Sequence, residues 1–231
     1  MREEQHWRTL QLPLKGAHAA YGNVQLFGET SPSLLKTYFS EAEQKYAKKF
    51  THPQARKNHL HARIILKELL KKIGDYQPLD YEIKNNALGA PEIISSDQVK
   101  LPTHISISHT DQGALIIASD LAPVGCDLAK NSGKQLPVIQ KFSQSRGISL
   151  CTITDLTAEA SALCQWSVWE ACSKVNQQGF RGGFHSFEVQ SASFDQRTEW
   201  WQIAFKNNDS GLQCWSQETE IGWISLCGRQ G

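Results

Sequence analysis

The spacing of apolar and polar positions changes several times along the chain, and each change predicts a different element. Residues 104–109, His-Ile-Ser-Ile-Ser-His, alternate strictly, and residues 114–119 form a short apolar run. The pair predicts a hairpin joined through residues 110–113. Ala62, Ile65, Leu66, Leu69 and Ile73 recur at helical spacing, which predicts a long helix with one face on a core. That helix opens at a Thr51-x-x-Gln54 capping box with Pro53 in its first turn, and stops at Gly74. A helix is also expected over about 33–50 and another over about 157–176, the latter before a glycine-rich breaker at 179–183. Short strands are expected at 24–27, 81–84, 124–128, 187–190, 200–205, 212–215 and 222–226. Residues 1–22 show no clear period and read as a loosely attached leader, and 131–154 give no clear element.

Both halves thus combine helices with mostly hairpin-linked strands. This predicts an α+β chain with a leader at 1–22, a first subdomain at 23–121 and a second at 122–231.

Composition narrows the function classes. The chain has 231 residues, with 24 Lys+Arg against 23 Asp+Glu, a formal net charge of +1. That balance argues against a dedicated nucleic-acid binder or a polybasic membrane anchor. The amino terminus carries charges of both signs, and the apolar run at 114–118 is far short of a membrane span. The six cysteines, at 126, 151, 164, 172, 214 and 227, form no Cys-x-x-Cys pair and read as free thiols of a reducing cytoplasm.

Charge placement adds three segments with chemical content. Ser108-His109 ends the alternating strand, Gly125-x-Asp127 ends another, and Trp166-x-x-x-Glu170-Ala-x-x-Lys174 lies on the predicted late helix. Taken singly, each has an ordinary reading: a surface histidine, a turn-forming acid and an exposed i,i+4 ion pair of about 0.3–0.5 kcal/mol. Arg56, Lys57, Arg63, Lys67, Lys71 and Lys72 occupy much of the rest of the long helix and, by spacing alone, read as a solvated face.

In combination, the order and spacing of these motifs resemble the 4′-phosphopantetheinyl transferases, specifically the large monomeric type that activates peptide, polyketide and fatty-acid synthases. The resemblance covers roughly residues 24–230. It implies two similar subdomains related by a pseudo-twofold axis, each a small, mostly antiparallel sheet packed with helices, in a cytoplasmic monomer. It implies transfer of the phosphopantetheine arm of coenzyme A to a serine of an apo acyl or peptidyl carrier protein, releasing adenosine 3′,5′-bisphosphate. Asp127 and Glu170 match the family's magnesium positions, and magnesium prefers oxygen ligands completed by phosphates and water. Lys174 would neutralise charge on the phosphate or leaving group. Ser108 and His109 match the coenzyme A motif, whereas Lys57 and Arg63 are placed in that role only by approximate helix register. The base for the carrier serine is either Glu170 or a metal-bound water.

Three positions depart from the family pattern. Ala129 replaces an acid two residues after Asp127, Trp169 replaces a lysine before Glu170, and Ala90 replaces the lysine of a Gly-Lys-Pro turn. A lost charge-assisted contact costs about 1.5–3 kcal/mol. Arg181, Lys84 and Lys130 are candidates to compensate. The alternative reading is therefore a degenerate member that binds coenzyme A or a carrier protein without turnover.

Overall fold

The computed structural model describes residues 7–25, 30–74, 76–130, 136–176, 187–206, 208 and 211–229. They fall into two compact units, Met1–Leu12 with Gly16–Leu121, and Pro13–Lys15 with Ala122–Gly231. The fold class is α+β with antiparallel sheets, as expected from the alternation of helical and strand periods.

In the first unit, β1 (Trp7–Leu10) and β2 (Ala17–Asn23) precede α1 (Pro32–Tyr38), α2 (Glu41–Ala47) and α3 (Pro53–Gly74). A hairpin follows, β3 (Tyr81–Asn85) with β4 (Pro91–Ser95), and then β5 (His104–His109) and β6 (Gly113–Ser119). The main sheet runs β1-β2-β6-β5. One face of α3 packs on it and on the hairpin: Ala62, Ile65, Leu66 and Leu69 share a core with Ala20 and Ile116 of the main sheet and with Tyr81 and Ile93 of β3 and β4, with Ile73 at the margin.

Residues 7–22 are thus not a loose leader. They carry β1 and most of β2, and β2 pairs along its whole length with β6. An alanine-rich strand, Ala-His-Ala-Ala-Tyr-Gly-Asn, gives no alternating signal because most of its residues are buried. The strand expected at 24–27 is also displaced, since Val24 and Gln25 lie in a turn and 26–27 fall outside the described residues. The helix expected over 33–50 is two helices. Phe39 is extended, and Ser40 starts α2 with a capping box in which Ser40 Oγ accepts from Glu43 N and Glu43 Oε2 accepts from Ser40 N.

In the second unit, β7 (Val124–Ala129) is followed by α4 (Leu136–Ser145) and α5 (Ala158–Val175). Then come β8 (Val189–Asp195), β9 (Trp200–Phe205), β10 (Leu212–Thr219) and β11 (Gly222–Arg229). The sheet order is β7-β11-β10-β9-β8, so β7 is an edge strand paired with β11. Thr157 caps α5 by accepting from Ala160 N. The breaker expected at 179–183, with Arg181, lies outside the described residues.

The cysteines also differ from expectation. Cys214 and Cys227 are register partners on β10 and β11 and are joined as a disulfide, while Cys126, Cys151, Cys164 and Cys172 remain thiols. Among the described residues, no helix is long and apolar enough to cross a membrane.

Candidate functional site

The site in the second unit begins with a glycine. A side chain on Gly125 would collide with the carbonyl oxygen of Ala171 and with Val175 on α5. Glycine therefore lets α5 lie directly on β7. Two residues on, Asp127 is 3% exposed and faces the same helix. Lys174 Nζ donates to Asp127 Oδ1 at 2.8 Å and to the Cys126 carbonyl at 2.9 Å. Ser167 Oγ donates to the Asp127 carbonyl at 3.2 Å, which ties strand and helix again. Glu170 sits one turn before Lys174, with Asp127 as its charged neighbour.

The i,i+4 reading of Glu170 and Lys174 thus omitted the principal partner, an acid 47 residues earlier in the chain. Burial and then the Asp127 carboxylate push the Glu170 carboxyl up to about 7, assisted by a hydrogen bond between the two acids and opposed by Lys174. For Lys174, burial acts downward, but Asp127, Cys126 and Glu170 outweigh it and the ammonium is held above its ordinary value. Two acids therefore share one lysine.

That donor set suits a hard cation. Two carboxyl groups repel each other where water is scarce, and magnesium takes one or two carboxylates with the remaining positions left to phosphates and water. Among the described residues, no third His, Cys, Asp or Glu joins them at ligand spacing. Ala129 lies in the hydrophobic core at 4% exposure, so the family's extra acid has no counterpart there. Trp169 is also core. Its ring is fully buried and its Nε1 donates to the Phe187 carbonyl at 3.1 Å. A lysine at 169 would point into apolar packing, so reading Trp169 as a missing phosphate contact is not supported by its position.

The first unit gathers a different set around α3. Arg63 is 6% exposed; Nη1 lies 3.0 Å from His59 Nδ1 and Nη2 donates to Asn85 Oδ1 at 3.2 Å. Among the described residues it has no carboxylate partner within salt-bridge distance. Burial, then Arg63 and His109, lowers His59 to about 3. Arg63 and His109 are therefore both neighbours of His59. Asn58 Nδ2 donates to the Thr110 carbonyl at 2.8 Å, holding α3 beside the end of β5. Ser108 is buried there and His109 is exposed.

Lys57 goes elsewhere. It is a neighbour of His61, which burial and then Lys57 lower to about 4. Arg63 also borders a cavity of about 590 Å³ whose lining includes Tyr46, Lys84, Asn85 and Asn86 together with the acids Glu43 and Glu82. Ala90 belongs to the turn at its edge, where Asn86 Oδ1 accepts from the Leu88 and Ala90 amides.

Two cations expected on a solvated face are buried instead. Lys67 is fully buried, donating to Glu43 Oε2 at 2.7 Å and the Pro78 carbonyl at 2.9 Å. Burial lowers its ammonium and Glu43 opposes that. Sequence reasoning missed Asn58, His59 and Asn85. Only His59 left a signal, standing four residues before Arg63 on one helix.

No protein-family model matches the chain, and no curated protein does. Among solved structures, the chain is similar to a holo-(acyl-carrier-protein) synthase from Bacillus anthracis str. Ames in complex with CoA (3′,5′-ADP). The match has 22% identity and a TM-score of 0.39, and covers 45% of this chain and 92% of the other. A likeness at that level carries no functional inference.

Proposed function

We propose that this protein transfers the 4′-phosphopantetheine arm of coenzyme A to a serine of an apo acyl or peptidyl carrier protein, releasing adenosine 3′,5′-bisphosphate. The observation that carries this reading is the convergence of Asp127, from within the edge strand β7, with Glu170 and Lys174, from α5, at one mostly buried point. Those three are the residues of the motifs that resemble the transferases. Asp127 and Glu170 would hold magnesium, which would neutralise charge on the pyrophosphate. Lys174 stays protonated and presents a fixed positive charge to the phosphate or leaving group. The carrier serine's proton would be accepted by Glu170 or by a water that magnesium would hold. In the first unit, Arg63, Ser108 and His109 are the proposed coenzyme A contacts, and Lys57, which lies by His61 instead, is left out of the set. Arg63 is the strongest of these, being a buried guanidinium hydrogen-bonded to neutral groups at a cavity that Glu43 and Glu82 also line.

The test is incubation with coenzyme A, magnesium and a panel of apo carriers, read by mass spectrometry as the gain of one phosphopantetheine. Asp127→Ala and Glu170→Gln should lose the product, and Lys174→Met should slow transfer by about 10²–10³-fold. Full activity in both acid variants would overturn the site.

Ala129 and Ala90 favour one second reading, a binder of coenzyme A or carrier without turnover. It predicts measurable coenzyme A affinity with no transfer to any carrier, and transfer gained by Ala129→Glu with Ala90→Lys. The burial of Trp169 weighs against it, because that substitution removes no charge from the site.

A further inference from the structure

Three cysteines meet in the core of the second unit, from three different elements. Cys214 of β10 and Cys227 of β11 form the disulfide, and Cys172 of α5 places its Sγ 3.3 Å from Cys227 Sγ. The three sulfurs lie within 4.8 Å of one another and all three residues are buried. Cys172 belongs to neither the proposed metal set nor the coenzyme A set, although it stands between Glu170 and Lys174 on the helix.

We propose that Cys172, Cys214 and Cys227 form an internal thiol–disulfide exchange site with two alternative linkages. The sulfur of Cys172 attacks Sγ of Cys227, the Cys227–Cys214 bond breaks, and a Cys172–Cys227 bond forms. Cys214 leaves as thiolate and takes up the proton that Cys172 gives up. No electron enters or leaves, so no external oxidant or reductant is needed.

The first linkage joins two adjacent strands. The second ties α5 to β11, and so tethers the helix turn that carries Glu170 and Lys174 to the sheet. Burial shields the three sulfurs from external thiols. Thiolate is the attacking form, so exchange should be slow, on the minutes-to-hours scale of uncatalysed disulfide rearrangement.

The three cysteines can be separated by cleavage after glutamate, since Glu170, Glu188, Glu199, Glu218 and Glu220 put them on peptides 171–188, 200–218 and 221–231. The full-length protein, purified without reductant, is held at pH 8 without added thiol. Samples are quenched in acid over several hours, alkylated and digested. The expected result is a 200–218/221–231 linkage at the start and a growing 171–188/221–231 linkage, with Cys214 becoming alkylated in the same proportion. Cys214→Ser protein, unfolded and refolded in glutathione disulfide, should form the Cys172–Cys227 linkage. Cys172→Ser should keep the strand disulfide and show no exchange.

A wild-type Cys172 that stays fully alkylatable while the strand disulfide persists would overturn the proposal. So would three thiols around a stoichiometric thiophilic metal in the purified protein. Folding of each variant is checked by circular dichroism, and the wild-type time course stands on its own if a variant fails to fold.

Discussion

Both units lay a long helix on an antiparallel sheet and bury charge at the contact, but they bury opposite signs. In the first, α3 brings in Arg63 and Lys67, beside the neutral imidazoles of His59 and His61. In the second, the acid Asp127 meets Glu170, with Lys174 as their shared counter-ion. The difference that matters is how completely each charge is answered from within its own unit. Lys67 has Glu43 and a carbonyl close by, which leaves it nothing to offer a ligand. Among the described residues, Arg63 hydrogen-bonds an imidazole and a carboxamide, with Glu43 as a more distant charge, and Lys174 stands between the two acids. Answered charges hold the fold, whereas unanswered ones are suited to an anion in the first unit and a cation in the second.

Acidification should move the two units in opposite directions, and this is the largest expected effect. His59 and His61 are lowered to about 3 and 4 in the fold, while unfolded histidine titrates near 6.5. Below 6.5 the unfolded chain binds protons that the folded unit refuses, so stability present above 6.5 is lost as pH falls towards 4. Each histidine contributes up to about 1.4 kcal/mol per pH unit in that window. Glu170 has the opposite sign. Raised to about 7, it binds a proton in the fold before the unfolded chain does, so the second unit gains stability as pH falls from 7 towards 4.5. Hydrogen exchange of metal-free protein, corrected for intrinsic rates, should show protection falling on α3 and rising or holding on α5 between pH 7 and 5. Parallel loss on both helices would break the contrast.

Removing the answered cation comes next. Lys67→Met leaves the Glu43 carboxylate buried beside Ser40 and Ile83 amides without its ammonium. Loss of one partner of a buried pair costs about 3–5 kcal/mol. Urea unfolding should show it, and adding Glu43→Gln should restore a substantial part. A loss below about 1 kcal/mol would mean that the pair is not what holds α2 to α3.

Gly125→Ala tests the seat of the second site. The new methyl meets Ala171 and Val175, and overpacking of this kind costs about 1–3 kcal/mol. Transfer activity should fall further than stability does, because α5 must shift and carries both Glu170 and Lys174. Equal activity in folded Gly125→Ala protein would show that the close helix–strand approach does not set the site.

These contrasts mark how far the sequence could be read. The hairpin β5–β6 and the helix α5 were legible from their strand and helix patterns and from the turn and cap residues around them, although their burial does not follow those patterns: Ser106 and Ser108 are buried and Ile107 only partly so. Strands β1 and β2 were not, since Ala19, Ala20 and Tyr21 are buried together and the alternation vanishes. The break before Ser40 was written in a Ser-x-x-Glu box that lies inside an otherwise continuous helical stretch. Lys67 and Arg63 looked like surface charges because their partners, Glu43 and Asn85, come from other parts of the chain. Asp127 and Lys174 are separated by 47 residues for the same reason, and only the order of motifs hinted at their meeting. Trp169 was misplaced by counting along a motif, because its neighbour Glu170 lies about 100° around the helix and faces different surroundings.

Arg63 gives the smallest expected change in stability and the sharpest separation of fold from function. Its guanidinium is desolvated without a carboxylate, so Arg63→Met removes a buried charge and two hydrogen bonds to neutral groups together. Those losses oppose each other, and the net change in unfolding free energy should stay within about 1 kcal/mol. Coenzyme A affinity should fall by one to two decades, the loss of a charge-assisted contact of about 1.5–3 kcal/mol. Arg63→Lys keeps the charge but not the planar fork, so it should recover only part of the affinity. Calorimetric titration beside urea unfolding reads both quantities on the same samples. A large stability loss with unchanged coenzyme A affinity would place Arg63 with Lys67 among the charges that only hold the fold, and would end the distinction between answered and unanswered cations on α3.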